Sequence, residues 1–145
     1  MNDTTARWIP PVLWILAALT LFNAAAQLFA PSAWFFTLVP GVPETGPFNA
    51  HLVQDAGTFN LAIGVGLIAA ARDAHRYAIA VVIAAIAAAA HALLHVYAHA
   101  ANLLSTEHIW VEFFGVLVPA VVLAIATISL LRNARASDRV DSIAA

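Results

Sequence analysis

Four long apolar stretches limit what this 145-residue chain can fold into. They lie at about residues 8–30, 50–71, 77–100 and 108–131. Each reaches the roughly 20 residues that an α-helix needs to cross a bilayer core. In lipid every backbone N–H and C=O must be paired within the segment, which leaves helices as the reading for runs of this length. The predicted fold is therefore all-α, a bundle of four transmembrane helices within a single membrane domain over residues 1–145. Residues 132–145 are polar and are expected to form a flexible cytoplasmic tail.

Composition agrees with this class. The chain is 63% hydrophobic and only 10% charged, where a water-soluble domain carries about 25% charged residues. It has no cysteine, which excludes disulfides, thiolate ligands, iron–sulfur clusters and thiol nucleophiles. Lysine is absent too, and a net charge of -2 gives no basis for nucleic acid as a partner. The first apolar stretch exceeds the roughly 7–15 residues of a secretory leader. It is read as a span, although Ala24–Ala26 has the small residues of a cleavage site.

Proline and glycine punctuate residues 31–49, at Pro31, Pro40, Gly41, Pro43, Gly46 and Pro47. The apolar middle of this loop, residues 34–39, is too short to cross and is expected to lie at the interface or fold back as a lid. Pro119 lacks an N–H for the carbonyl of Gly115 and should kink the fourth span. All six arginines fall on the side that holds both termini and the middle loop, at Arg7, Arg72, Arg76, Arg132, Arg135 and Arg139. An excess of basic residues marks the cytoplasmic face, so both termini are predicted to be cytoplasmic. In a bacterium this is the multi-pass topology of an inner-membrane protein.

The polar residues of the spans gather at the other end. His91, His95 and His99 recur every four residues and stack along one helix face. The pairs Asn23/Gln27, His51/Asp55 and His108/Glu112 have the same spacing. With a rise of about 1.5 Å per residue, Asp55, His95 and Glu112 each fall about 6–9 Å below the outer ends of their helices, and Gln27 lies nearby. His51, His99 and His108 form a shallower layer. His91 lies one turn deeper, within reach of Asn23, Thr58 or Asn60. Charges facing lipid at that depth cost several kcal/mol, so Asp55, His95 and Glu112 are expected to face inward and find partners.

Each residue also has a plainer reading. His51, His99 and His108 can be ordinary residues at wet helix ends, as can Glu107, and His75 sits in a charged turn. Asn23 and Gln27 suit hydrogen bonding between helices. Gly57, Gly64 and Gly66 suit close packing rather than a cofactor slot.

Imidazole and carboxylate without sulfur suit zinc, copper(II), iron, manganese or nickel. The leading expectation is a metal site of Asp55, His95 and Glu112, completed by His91, His51, His99 or His108. Gln27 and Asn23 would orient the ring nitrogens from behind. The ion expected is copper, zinc or iron, for metal handling or metal-dependent redox chemistry. An alternative is haem b held by His95 with His51 or His108. Others are a metal-free site coupled to protons or a solute, and an accessory subunit whose polar residues hold the bundle together. The residues do not decide whether the protein is an enzyme. Ser105 near His108 lacks evident oxyanion donors, and no phosphate-binding or dinucleotide fingerprint is present. The expected partners are the lipid bilayer and, since four short helices bury little surface, further copies in a homo-oligomer or a larger membrane complex.

One segment carries a resemblance. The loop Pro40-Gly41-Val42-Pro43 leads through Thr45-Gly46-Pro47-Phe48-Asn49 to His51, Asp55, Gly57 and Gly64, and a His-Ala-Leu-x-His segment follows at His91–His95. It resembles the signature of an uncharacterised family of small bacterial four-helix integral membrane proteins. The resemblance covers about the middle half of the chain and implies the four-helix architecture. No activity is settled for that family, so none is implied here.

Overall fold

The computed structural model describes residues 7–144, with side chains through residue 133. It is built of helices, without a strand among the described residues. The elements are α1 (Ile9–Phe29), α2 (Pro31–Ala33), α3 (Ala50–Arg72), α4 (Ala78–Ala100), α5 (Ile109–Glu112) and α6 (Val118–Ala144). Four helical stretches are long and apolar enough to cross a membrane: Ile9–Phe29, Ala50–Arg72, Ala78–Ala100 and Ile109–Asn133. Their bounds lie within two residues of the expected spans. The last helix nevertheless continues beyond residue 131 to Ala144, through the stretch expected to be a flexible tail.

Local chemistry explains three of the boundaries. Pro10 and Pro11 occupy the first turn of α1, where N–H groups have no intrahelical partner to lose. Asn49 caps α3, its side-chain oxygen accepting the Leu52 N–H at 3.2 Å. Helix α4 closes on Asn102, which adopts a left-handed φ of 55°. There the Leu103 N–H returns to the Ala98 carbonyl at 2.8 Å. This stop leaves His99 in the last turn of α4.

Proline does not act on the fourth span as a simple kink. Between α5 and α6, Phe113–Leu117 widens into a π-helical turn, and the Val118 N–H reaches back five residues to the carbonyl of Phe113. The Pro119 ring has no N–H and would press on the carbonyl of Gly115, so adding a residue to the turn relieves the crowding. The widening changes the rotation of everything before it, Glu112 included.

The shared core sits at the arginine-bearing end. Ile9, Leu13 and Ala17 of α1 meet Leu67, Ala70 and Ala71 of α3, Val81 and Ala84 of α4, and Leu123, Ala126 and Leu130 of α6. Toward the other end α1 and α3 stay in close contact along their length. A Cβ at Gly64 would lie 2.6 Å from Leu21 Cδ2, and one at Gly57 would lie 2.9 Å from Leu28 Cγ. Both glycines let the helix axes approach, as small residues do in lipid. Helix α4 has no buried residue beyond Ala84, so its histidine-bearing half adds nothing to that apolar core. The outward faces carry large apolar side chains such as Phe22, Phe59, Leu93 and Trp110. That is the surface a bilayer solvates.

Candidate functional site

The polar residues do meet, but as four separate groups. The first lies between α1 and α3. Gln27 is buried, and its Oε1 accepts an N–H from Asn60 Nδ2 at 2.8 Å. Six residues before Asn60, Gln54 Nε2 donates to the carbonyl of Leu28 at 3.1 Å. Asn23 Oδ1 accepts from Trp34 Nε1 at 2.7 Å and so ties the connecting segment back onto α1. That segment is itself helical, with a three-residue α2 and a π-turn over Trp34–Leu38. Phe35 is buried there, and its ring packs against Phe36 and Phe48 with centroids 4.9 and 5.2 Å away. Asn23 and Gln27 thus act between helices, and neither is bonded to an imidazole among the described residues.

The second group joins α4 to α5. Glu112 Oε2 lies 2.9 Å from His95 Nδ1 and 2.7 Å from His99 Nε2. One carboxylate oxygen serves both rings. His95 and His99 are one turn apart on α4, and the π-turn after Glu112 aims its side chain at the level between them. All three side chains are largely shielded, at 21%, 21% and 12% exposure, which is why they can pair so closely. An ionised carboxylate only accepts, so each ring donates one N–H to it. His99 Nδ1 is then left buried without a hydrogen-bond partner among the described residues. His91 is more exposed and sets its ring edge-on to that of His95, with centroids 4.7 Å apart.

The third group stands apart. His51 Nε2 is 3.6 Å from Asp55 Oδ2 on the exposed face of α3, with side chains 86% and 51% exposed. The expectation that Asp55 turns inward to join His95 and Glu112 is therefore corrected. The face of α3 turned to α1 is fixed by Val53, Gly57 and Gly64, all buried. The rotation that seats those residues carries Asp55 outward. Its partner is His51 on its own helix.

The fourth group lies in the loops. His108, at the start of α5, is 3.5 Å from Glu44 Oε1 of the turn Val42–Thr45. The backbone N–H of Ser105 donates to Glu44 Oε2 at 3.2 Å. With Glu107 these side chains make the one trio among the described residues whose ligand-type atoms all lie within 4.8 Å of one another. Sequence reading passed over Glu44, because a glutamate inside a proline–glycine loop has no periodicity to place it. His75 is exposed in the turn after α3, as expected.

Four apolar spanning helices, with a shielded carboxylate between two imidazoles in their polar half, define a multi-pass α-helical membrane protein. Comparison of the chain with protein families, curated proteins and solved structures finds no match.

Proposed function

We propose that this is a small protein of the bacterial inner membrane, both termini cytoplasmic, in which His95, His99 and Glu112 bind a transition metal ion, with His91 at the edge of the site. One observation carries the reading: two ring nitrogens, at 2.7 and 2.9 Å, converge on a single carboxylate oxygen within otherwise apolar helices. Ligands about 2.1 Å from a common ion lie roughly 3–3.4 Å apart when adjacent. Each nitrogen–oxygen pair is already close to that spacing, and the two ring nitrogens, more than 4.8 Å apart, must draw together around Glu112 for one ion to hold all three. Two imidazoles and one carboxylate suit iron(II), zinc or copper(II).

The arginine distribution supports the orientation, and the resemblance of the loop-to-helix segment supports the bacterial location. The exposed His51–Asp55 pair on an apolar helix favours a further copy or subunit against α3, because lipid solvates such a pair poorly.

Haem b is less well supported. His95 is engaged with Glu112, while its suggested partners His51 and His108 face Asp55 and Glu44.

Elemental analysis and a visible spectrum of detergent-purified protein test the proposal. A bound transition metal that is lost in Glu112→Gln and His95→Ala, but retained in His51→Ala, is the expected result. Metal-free protein after expression in metal-replete medium and direct reloading would overturn it, and a Soret band would select haem instead.

A further inference from the structure

A second cluster lies nearer the loops and belongs to no part of the site just described. Glu44 comes from the connection between α1 and α3, and Glu107 and His108 come from the connection between α4 and α5. The two loops are far apart in the chain, and these side chains bring them together. Gly41 makes this approach possible. Its φ of 85° turns the backbone into Val42–Thr45, and a Cβ there would lie 3.3 Å from the His108 ring.

The geometry points to a second divalent-cation site, formed by Glu44, Glu107 and His108. One oxygen of Glu44 is occupied by the Ser105 N–H at 3.2 Å. Its other oxygen faces His108 Nε2 at 3.5 Å, beyond a normal hydrogen bond. An approach of ligand atoms without bond formation leaves a position between them. Two carboxylates and an imidazole nitrogen converge on that position, each within 4.8 Å of the others. Two ligands of one ion at about 2.1 Å lie roughly 3–4.2 Å apart, so a small closure seats all three.

Charge argues the same way. Two glutamates this close repel, and no arginine or lysine lies in either loop. His108 is the sole basic side chain in the trio. A dication answers both carboxylates at once and pins one loop to the other, at the end of the molecule where α4 adds nothing to the apolar core. Two oxygen donors and one nitrogen suit manganese(II), iron(II) or zinc rather than copper(I).

Titration of the full-length protein in detergent with Mn²⁺ alone, followed by loss of the free-ion EPR signal, tests this site. The Glu112→Gln background removes the deeper site, so failure there and failure here read out separately. In that background Mn²⁺ should still bind, and adding Glu44→Gln with Glu107→Gln should weaken binding at least tenfold. His108→Ala should do so independently. The chain has no cysteine, so a nitroxide attached through Thr45→Cys reports whether the ion sits beside the loops, by broadening as Mn²⁺ is added. No binding in the Glu112→Gln background, equal binding after the loop substitutions, or an unbroadened label would each overturn the assignment.

Discussion

His99 Nε2 lies 2.7 Å from Glu112 Oε2, and this contact joins the last turn of one spanning helix to the first turn of the next. The same oxygen also receives His95 at 2.9 Å. A carboxylate that would be costly in lipid is thereby satisfied by two donors from a neighbouring helix. The pairing has consequences for stability as well as for ligand binding.

Removing the carboxylate should loosen the α4–α5 contact. Hydrogen bonds between membrane helices are worth about 0.6–2 kcal/mol. Glu112→Ala is expected to lower stability by about 1–2 kcal/mol, with Glu112→Gln less affected because its amide oxygen still accepts from one ring. Thermal unfolding in detergent, in the absence of metal, measures both.

The amide tie between Gln27 and Asn60 should behave as a coupled pair. Either residue changed to leucine leaves the other amide without its 2.8 Å partner. The double variant should cost less than the sum of the singles. A double-mutant cycle is expected to give a coupling of about 0.5–2 kcal/mol, and a coupling of zero would show that the amides act independently.

Glycines predict opposite outcomes at two positions. Gly64→Val forces a Cβ against Leu21 at 2.6–2.7 Å, so α1 and α3 must move apart. A loss of about 1–3 kcal/mol is expected from such overpacking. Gly115→Ala meets nothing within 4 Å and replaces a poor helix former. It should leave stability unchanged or raise it. Side-by-side melting curves decide.

Pro119→Ala should affect a residue it does not touch. Restoring the N–H lets position 119 bond to the carbonyl of Gly115, which removes the reason for the π-turn at Phe113–Leu117. With one residue fewer in that turn, Glu112 rotates by about 100°. Metal retention should fall although every candidate ligand is intact. Retention at the parental level would mean that Glu112 is aimed by α5 alone.

Asp55 and His51 supply the contrast. Both side chains are exposed on α3, where they face each other at 3.6 Å. Asp55→Ala and His51→Ala should change monomer stability by no more than about 0.5 kcal/mol and leave metal content as it was. If α3 forms an interface between copies, these same variants should shift the oligomer size measured by light scattering.

Much of this was legible along the chain. Apolar run length located the four helices, and proline and glycine marked the connection after the first of them. The i, i+4 spacing of His95 and His99 placed both rings on one face of α4, and both reach Glu112. Gly57 and Gly64 were readable as close-packing positions. Asp55 was read wrongly for a definite reason. Depth in the membrane follows from counting residues, but the direction a side chain faces follows from the rotation of its helix. That rotation is set by what α1 presents to Val53, Gly57 and Gly64.

Run length, backbone hydrogen bonding and the cost of charge in lipid are properties of a segment by itself, so the sequence alone determined the helices and the end of the bundle where the polar residues lie. Which of them become partners was decided only in three dimensions. The close approach at Gly64 turns Asp55 away, the widened turn before Pro119 turns Glu112 toward α4, and Gly41 delivers Glu44 to His108. Each of these depends on packing against a second element, and the spacing of residues within one helix does not record it.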